Sequence, residues 1–270
     1  MIGLRTRLSV LAGYMPQKRS NDSFIVAHPR SGSTWLRTII TNILIPEAQS
    51  DPDVFNDLIP GFSIRRAREL SKLRSPRLLM THSAYLPGFP RVLYLVRDGR
   101  DVLISYYNFL VYRKQRVTAD GDEGSIDFST FLARYYDGRY GHIWDHHVQS
   151  WLVHGPARMG VRIMIVKFED MKISTEEVVQ QIVAFLSIPA TDDEISRAVQ
   201  DASIEKARKV EKEEWKKKGL GAPDSRSSFY GSGAKRDWRK HFSDEDMELF
   251  LKHSTKALEL VGYPLREQTI

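Results

Sequence analysis

The sequence predicts an α/β fold, a P-loop-like three-layer domain with a central parallel sheet flanked by helices. Three observations carry that expectation. Short, almost continuous apolar runs at 23–27 (SFIVA), 92–96 (VLYLV) and 161–166 (VRIMIV) have the character of strands buried on both faces. Segments with helical apolar spacing alternate with these runs along the chain. Two of the runs lead directly into turns rich in Arg, Ser and Gly that open helices. In open parallel sheets that edge faces the ligand.

Element by element, the first 20 residues read as a loosely packed lead-in, with 21–270 as a single domain. Arg5 and Arg7 precede Leu8 to Ala12, but that apolar stretch is too short and interrupted for a signal peptide. Ser23 to Ala27 is a strand. Thr34 to Leu44 follows as a helix stopped by Pro46. Arg77 to Thr81 is a short strand and Val92 to Val96 a stronger one, followed by a helix over Asp101 to Phe109. Asp127 to Tyr136 and Ile143 to Val153 are further helices. Val161 to Val166 reads as another buried strand. Ser174 to Leu186 is an amphipathic helix, with Ser174 and Glu177 spaced as a capping box. Helices over Asp192 to Ala202 and Ser243 to Leu260 complete the pattern. Residues 46–62, 113–126 and 217–235 take no regular assignment and read as loops rimming a ligand.

The chain's 270 residues, 41% hydrophobic and 27% charged, suit one α/β domain with a sizeable core. No run approaches the roughly 18 to 20 apolar residues of a membrane helix. The absence of cysteine excludes disulfides, thiolate catalysis and cysteine-bound metal, and fits a reducing, cytoplasmic setting. A net charge of +6 suits an anionic partner: nucleic acid, a membrane surface or a polyphosphorylated small molecule. The densest charge run, Glu205 to Lys218, interleaves acids and bases at i,i+4 spacing. It reads as a solvated helix face rather than a nucleic-acid patch.

The segment from Ala27 to Trp35, AHPRSGSTW, joins a strand to a helix. Such a junction can wrap backbone N–H groups around phosphate, assisted by the helix N-terminus. Gly32 permits close backbone approach, Ser31, Ser33 and Thr34 offer hydroxyls, and Arg30 supplies a permanent cation. The nucleotide-triphosphatase loop GxxxxGK[ST] differs: Ala27 replaces its first Gly and Ser33 its lysine. A second junction, LVRDGRDVLISYY from Leu95, places Arg97 and Arg100 in a turn and Ser105 one helical turn beyond Asp101. Two readings of that junction stand: an anion site, or arginines paired with Asp98 and Asp101. Two such junctions together favour a ligand with two separated anionic groups.

These residues resemble the PAPS-dependent sulfotransferase family, cytosolic type (PAPS is 3′-phosphoadenosine 5′-phosphosulfate). HPRSGSTW is similar to that family's PKSGTTW loop, and VRDGRDVLISYYNF to its RNPKDVxVSYYHF motif. MTHSAYLP, YGHIWDHHVQSW, VKFEDM and KRDWRKHFS are similar to further family segments, in order, from about residue 24 to 262. The resemblance implies PAPS as donor and PAP as product. Arg30, Ser31, Gly32, Ser33 and Thr34 would hold the 5′-phosphosulfate, and Trp35 would stack on adenine. Arg97 and Ser105 would bind the 3′-phosphate, and Phe168 stands where the family has an adenine-contacting Tyr. Ser203 and Ile204 fall near another base-contacting patch, Phe229 and Tyr230 in a donor lid, and His82 takes the place of the catalytic base. Arg30 replaces the family's loop lysine. Met80 replaces a second catalytic lysine. Gly231-Ser232 interrupt the Arg-Lys donor clamp, for which Lys235 or Arg236 could substitute.

A histidine near neutral pKa suits deprotonation of an acceptor, and Arg30 with the loop donors suits charge building on the leaving oxygen of an in-line displacement. No metal is expected; adjacent His146 and His147 would point to different sides of a helix. Read without the resemblance, His82 is more readily a structural histidine than a catalytic one. The expected acceptor is a small molecule carrying a hydroxyl or amine, lined by candidates Tyr85, Phe89, Tyr107, Phe109 and Tyr112. No nucleic acid and no membrane span are expected, and the chain would be monomer or homodimer. The rival readings are a P-loop-like kinase or nucleotide-phosphate transferase, and a nucleotide-binding module without chemistry.

Overall fold

Four parallel strands form the centre of the computed structural model, which describes residues 16–48, 50–110, 126–154, 161–217, 219 and 238–265. The strands are β1 (Ser23–Ala27), β2 (Leu78–Thr81), β3 (Arg91–Val96) and β4 (Arg162–Lys167), in the order β2-β1-β3-β4. β1 pairs with β2 through Ile25 and Met80, and with β3 through Val26 and Tyr94. Both carry their loops to the same end of the sheet, as parallel strands must.

Alternation along each strand divides the core into two layers. Ile25, Ala27, Met80, Leu93 and Leu95 meet Leu36, Ile39 and Ile40 of helix α1 (Ser33–Leu44). Helices Thr175–Leu186 and Asp192–Asp201 complete that layer with Val179, Ile182 and Ala198. Phe24, Val26, Val92, Tyr94 and Val96 point the other way, onto the helices Gly99–Asn108, Phe128–Tyr136, Trp144–Gln149 and Asp244–Val261. Each fully buried Leu, Ile or Phe in these layers stabilises by about 1.5–3 kcal/mol relative to exposure.

The elements expected from sequence are present, with shifted ends. The helix expected from Asp101 begins at Gly99, because Asp98 caps it by accepting from Arg100 N. Gly99 is required there: a Cβ would lie 2.7 Å from the Trp144 ring. Helix-like structure through 143–153 is an α-helix over Trp144–Gln149 continued by a π-helical turn over Ser150–His154.

Three expectations need correction. β4 is not buried on both faces. Among the described residues it is the sheet edge, paired with β3, and its faces are incompletely covered, Ile165 being 48% exposed. Its apolar run is indistinguishable in sequence from that of a central strand. Ser174 precedes its helix but makes no side-chain cap, since its φ/ψ of −128°/60° departs from the usual cap geometry. The capping box forms instead between Thr191 and Glu194. The stretch 46–62 is not all loop: Pro52–Leu58 is a short helix capped by Asp51. Short helices at Ala67–Lys72 and Phe168–Ile173 also lay below the length that periodicity can register.

The last residues of the lead-in are tied down rather than loose. Arg19 Nη1 and Nη2 donate to Leu73 O and Ser71 O, and Lys18 Nζ donates to Pro87 O at 2.6 Å. Beside them Arg77, 4% exposed, forms a bidentate pair with buried Asp22 and fixes the entry to β1 against β2. Ile204–Lys217 is a helix, so the interleaved charge run is helical as far as Lys217. Among the described residues no helix is long and apolar enough to cross a membrane.

Candidate active site

The two anion motifs meet at the carboxyl end of the sheet. Arg30 leaves β1 with φ 74° and Gly32 follows at φ 98°, so the chain curls around its own amides before α1 begins. Positive φ at Arg30 is unusual for a residue with a side chain and costs of order 1–3 kcal/mol. Its guanidinium Nε donates to Ser105 Oγ at 3.1 Å, and its Cζ lies 5.1 Å from the Phe109 ring centre. The first motif thus touches the second through side chains.

The N-terminus of α1 is prepared for an anion. Gly32 offers no side-chain cap, and the first turn contains no acidic residue. Its leading N–H groups therefore keep their donor capacity and the positive end of the helix dipole. Ser31 is fully buried and its hydroxyl has no hydrogen-bond partner. A buried hydroxyl left unsatisfied costs about 1–3 kcal/mol, which an anionic oxygen would recover. His28, also buried, sits between Pro29 O and His142 O and pins the loop from behind. Burial holds it neutral, with its pKa lowered to about 4.

The second motif works differently from the expected repeat of the first. Its helix N-terminus is already occupied by Asp98, and Asp101 lies in the first turn. Arg100, 1% exposed, is structural: it holds Asp98 and donates to Pro264 O and Leu265 O. Arg97 pairs with Asp101 at 3.2 Å, yet its buried Nε has no partner. The paired reading thus holds for both arginines. Ser105 meets Arg30, and Arg97 Nε is a buried donor without a partner, so these side chains are the candidates for a second anionic group.

An aromatic wall stands beside the loop, its two rings at 73° to one another. Phe168 packs so closely on Gly32 that a Cβ there would lie 2.3 Å from the ring. Arg97 lies over the Phe168 ring at 4.7 Å, and Trp35 meets that ring edge-on at 5.8 Å. Trp35 Nε1 donates to Ala202 O at 3.0 Å, immediately before Ser203 and Ile204. The structure therefore brings Trp35, Phe168 and the 202–204 turn together beside the loop, as an edge-to-face aromatic platform.

His82 follows β2 at the same sheet edge. Its Nδ1 lies 2.6 Å from Ala27 O. A carbonyl only accepts, so Nδ1 carries the hydrogen and Nε2 keeps its lone pair. Burial, assisted by His142, Arg37 and Arg30, lowers its pKa to about 4. The imidazole is thus neutral and oriented with Nε2 open to accept a proton. Its pKa nevertheless lies below the near-neutral value expected from sequence, so burial makes it a weaker base in this state. Met80, in the same strand, is a core residue at 4% exposure and brings no cation.

Several expected residues lie elsewhere. Phe229, Tyr230, Lys235, Arg236 and Tyr112 are outside the described residues. Phe89 is core, edge-on to Phe24 and Trp151. Tyr107 donates to Ile126 O and Tyr85 packs edge-on against Trp151, leaving Phe109 as the candidate nearest Arg30. Sequence reasoning missed Arg37 and His142, whose charges act on His82. No motif marks Arg37, and His142 lies within the YGHIWDHHVQSW segment without being singled out there. Only the proximity of their elements reveals them.

A family profile described as a sulfotransferase domain matches residues 20–262. The chain belongs to the sulfotransferase family. It is similar to an amine sulfotransferase of Oryctolagus cuniculus, 24% identical, with 92% of this chain and 83% of that protein covered. It is also similar to sulfotransferase 6B1 of Danio rerio, 27% identical, covering 92% and 84%. Among solved structures, mouse sulfotransferase SULT7A1 complexed with PAP shares the fold, with TM-score 0.66, 21% identity, and 92% and 89% coverage. Family membership separates this sulfotransferase from the P-loop kinase reading, in agreement with Ser33 standing where such loops have lysine.

Proposed function

We propose that this sulfotransferase takes its sulfonate from PAPS and delivers it to a hydroxyl or amine of a small molecule, with His82 accepting the proton. One observation carries the reading: the Arg30–Ser105 hydrogen bond joins both anion motifs at the sheet edge where His82 stands. A donor with separated 5′ and 3′ anionic groups fits that arrangement. Buried Ser31 Oγ, the uncapped N-terminus of α1 and the unpartnered Arg97 Nε are the unsatisfied donors it would meet.

When bound, PAPS supplies the sulfonate and is released as PAP. The chain's own residues do the rest. The loop amides, Ser31, Ser33, Thr34 and Arg30 hold the 5′ end, and Arg30 opposes the negative charge that grows there. Arg97 and Ser105 hold the 3′-phosphate, with Arg97 drawn from Asp101 toward it. Trp35, Phe168 and Ser203 receive the base; Phe229, Tyr230, Lys235 and Arg236 are assigned to closure over the donor. His82 Nε2 takes the acceptor's proton as the new O–S or N–S bond forms. Neutral imidazole is the required form, and its low pKa maintains it. The active unit, residues 21–270, would be monomeric or dimeric and work in the cytoplasm.

The test is a thermal shift with PAP against ATP, followed by incubation with PAPS and a metabolite extract. PAP should raise the melting temperature and ATP should not. Sulfonated products should appear with wild-type protein and be lost in His82→Gln.

A further inference from the structure

We propose that Arg37 is a positioning residue for His82: its guanidinium fastens the 55–62 segment to α1, and that segment clamps the strand that delivers the imidazole. The inference rests on His82 being the proton acceptor. Arg37 is half-buried on α1, five residues past Gly32. Its Nη2 shares its hydrogens among Ile59 O at 2.7 Å, Asn56 Oδ1 at 2.9 Å and Phe55 O at 3.1 Å. Its Cζ lies 4.7 Å from the Phe55 ring centre. These contacts gather the carbonyls at the end of the Pro52–Leu58 helix, where the negative dipole end favours a cation.

The fastened segment continues directly onto β2. Met80 N donates to Pro60 O at 3.0 Å, and Phe62 N donates to Met80 O at 2.6 Å. Gly61 and Met80 form a parallel bridge, while Met80 pairs on its other side with Ile25. The strand end is therefore held from both sides two residues before His82. Removing the guanidinium frees one of those sides.

Charge adds to the mechanical argument. The groups acting electrostatically on His82 are His142, from the segment before the Trp144–Gln149 helix, Arg37 from α1 and Arg30 from the phosphate loop. His28 and His147 are also close enough to feel His82. Every one of these is cationic or can become so, and each opposes protonation of His82. Met80 supplies no cation from β2 itself, so the lasting positive charges come from neighbouring elements.

The measurement is an NMR titration of the full chain with labelled histidine, His82 being assigned by its loss in His82→Gln. Arg37→Gln keeps an amide donor and removes the charge. The His82 midpoint should then rise by roughly half a pH unit, as expected for losing one nearby cation at intermediate dielectric. Arg37→Lys keeps the charge but cannot hold all three acceptors, so its midpoint should rise by part of that amount. An unmoved midpoint in a folded Arg37→Gln protein overturns the proposal. If Arg37→Gln does not fold, Asn56→Ala loosens the same guanidinium. A midpoint raised above wild type supports the proposal. An unmoved midpoint with reduced stability assigns Arg37 to structure alone and overturns it. None of these readouts requires turnover, so failure here is distinct from failure of PAP binding or of the His82→Gln activity test.

Discussion

Gly32→Ala concentrates the account of the donor loop into one atom. The new Cβ would lie 2.3 Å from Phe168 Cδ2 and 2.5 Å from Cε2, at a backbone φ of +98°. The ring has little room to retreat, because Arg97 lies over it and Trp35 meets it edge-on. A side chain in left-handed backbone costs about 1–2 kcal/mol, and overpacking a close contact costs about 1–3 kcal/mol more. A total of about 2–5 kcal/mol, in a chain of this size, corresponds to a melting temperature lower by roughly 5–15 °C. Strain relieved by drawing the loop away from Phe168 would also spoil the amide cradle, at about tenfold in affinity per 1.4 kcal/mol. Calorimetric titration with PAP should therefore show at least tenfold weaker binding. Adding Phe168→Ala should restore part of the lost stability while leaving PAP weak, since the platform is gone. A Gly32→Ala protein melting within two degrees of wild type and binding PAP within twofold would refute the geometry.

Further outcomes follow from the same site. His82→Gln should lower turnover by about 10²–10⁴-fold, measured as PAP release, with PAP affinity nearly unchanged. With neutral His82 as the proposed proton acceptor, kcat/KM should lose activity on the acid side only as pH approaches about 4. Ser105→Ala should weaken PAP by roughly three- to tenfold through loss of one hydrogen bond to a charged group, and Arg30→Met by more, both by calorimetry. Acid should destabilise the fold: His28 takes a proton near 6.5 when unfolded but near 4 when folded, so between those values the unfolded chain binds more protons. Stability present above pH 6.5 should decline as pH falls toward 4, visible in melting curves.

Much of this architecture is legible from residue pattern because it depends on local chemistry. β1 and β3 are uninterrupted apolar runs buried on both faces, and the helices after them carry their own caps or glycine. The loop from His28 to Ser33 is recognisable because phosphate binding demands glycine, hydroxyls and a cation in sequence. What escapes is what depends on a neighbour. β4 reads as central until its position at the end of the sheet order among the described residues shows it to be an edge. Arg97 and Arg100 look alike in sequence, yet Arg100 is consumed by Asp98 and the 264–265 carbonyls while Arg97 keeps a free Nε. Arg37 lies in an ordinary helical pattern, and its link to His82 appears only through the 55–62 segment and β2.

The central claim is that two joined anion motifs and a neutral His82 make a PAPS-dependent sulfonate transfer site. Its most direct measurement follows PAPS with a labelled sulfonate through incubation with a metabolite extract, with and without EDTA. Label should move to small-molecule products in wild-type protein, persist with EDTA, and be lost in His82→Gln. Absence of any labelled product from a protein that binds PAP tightly, or equal transfer by His82→Gln, would contradict the account.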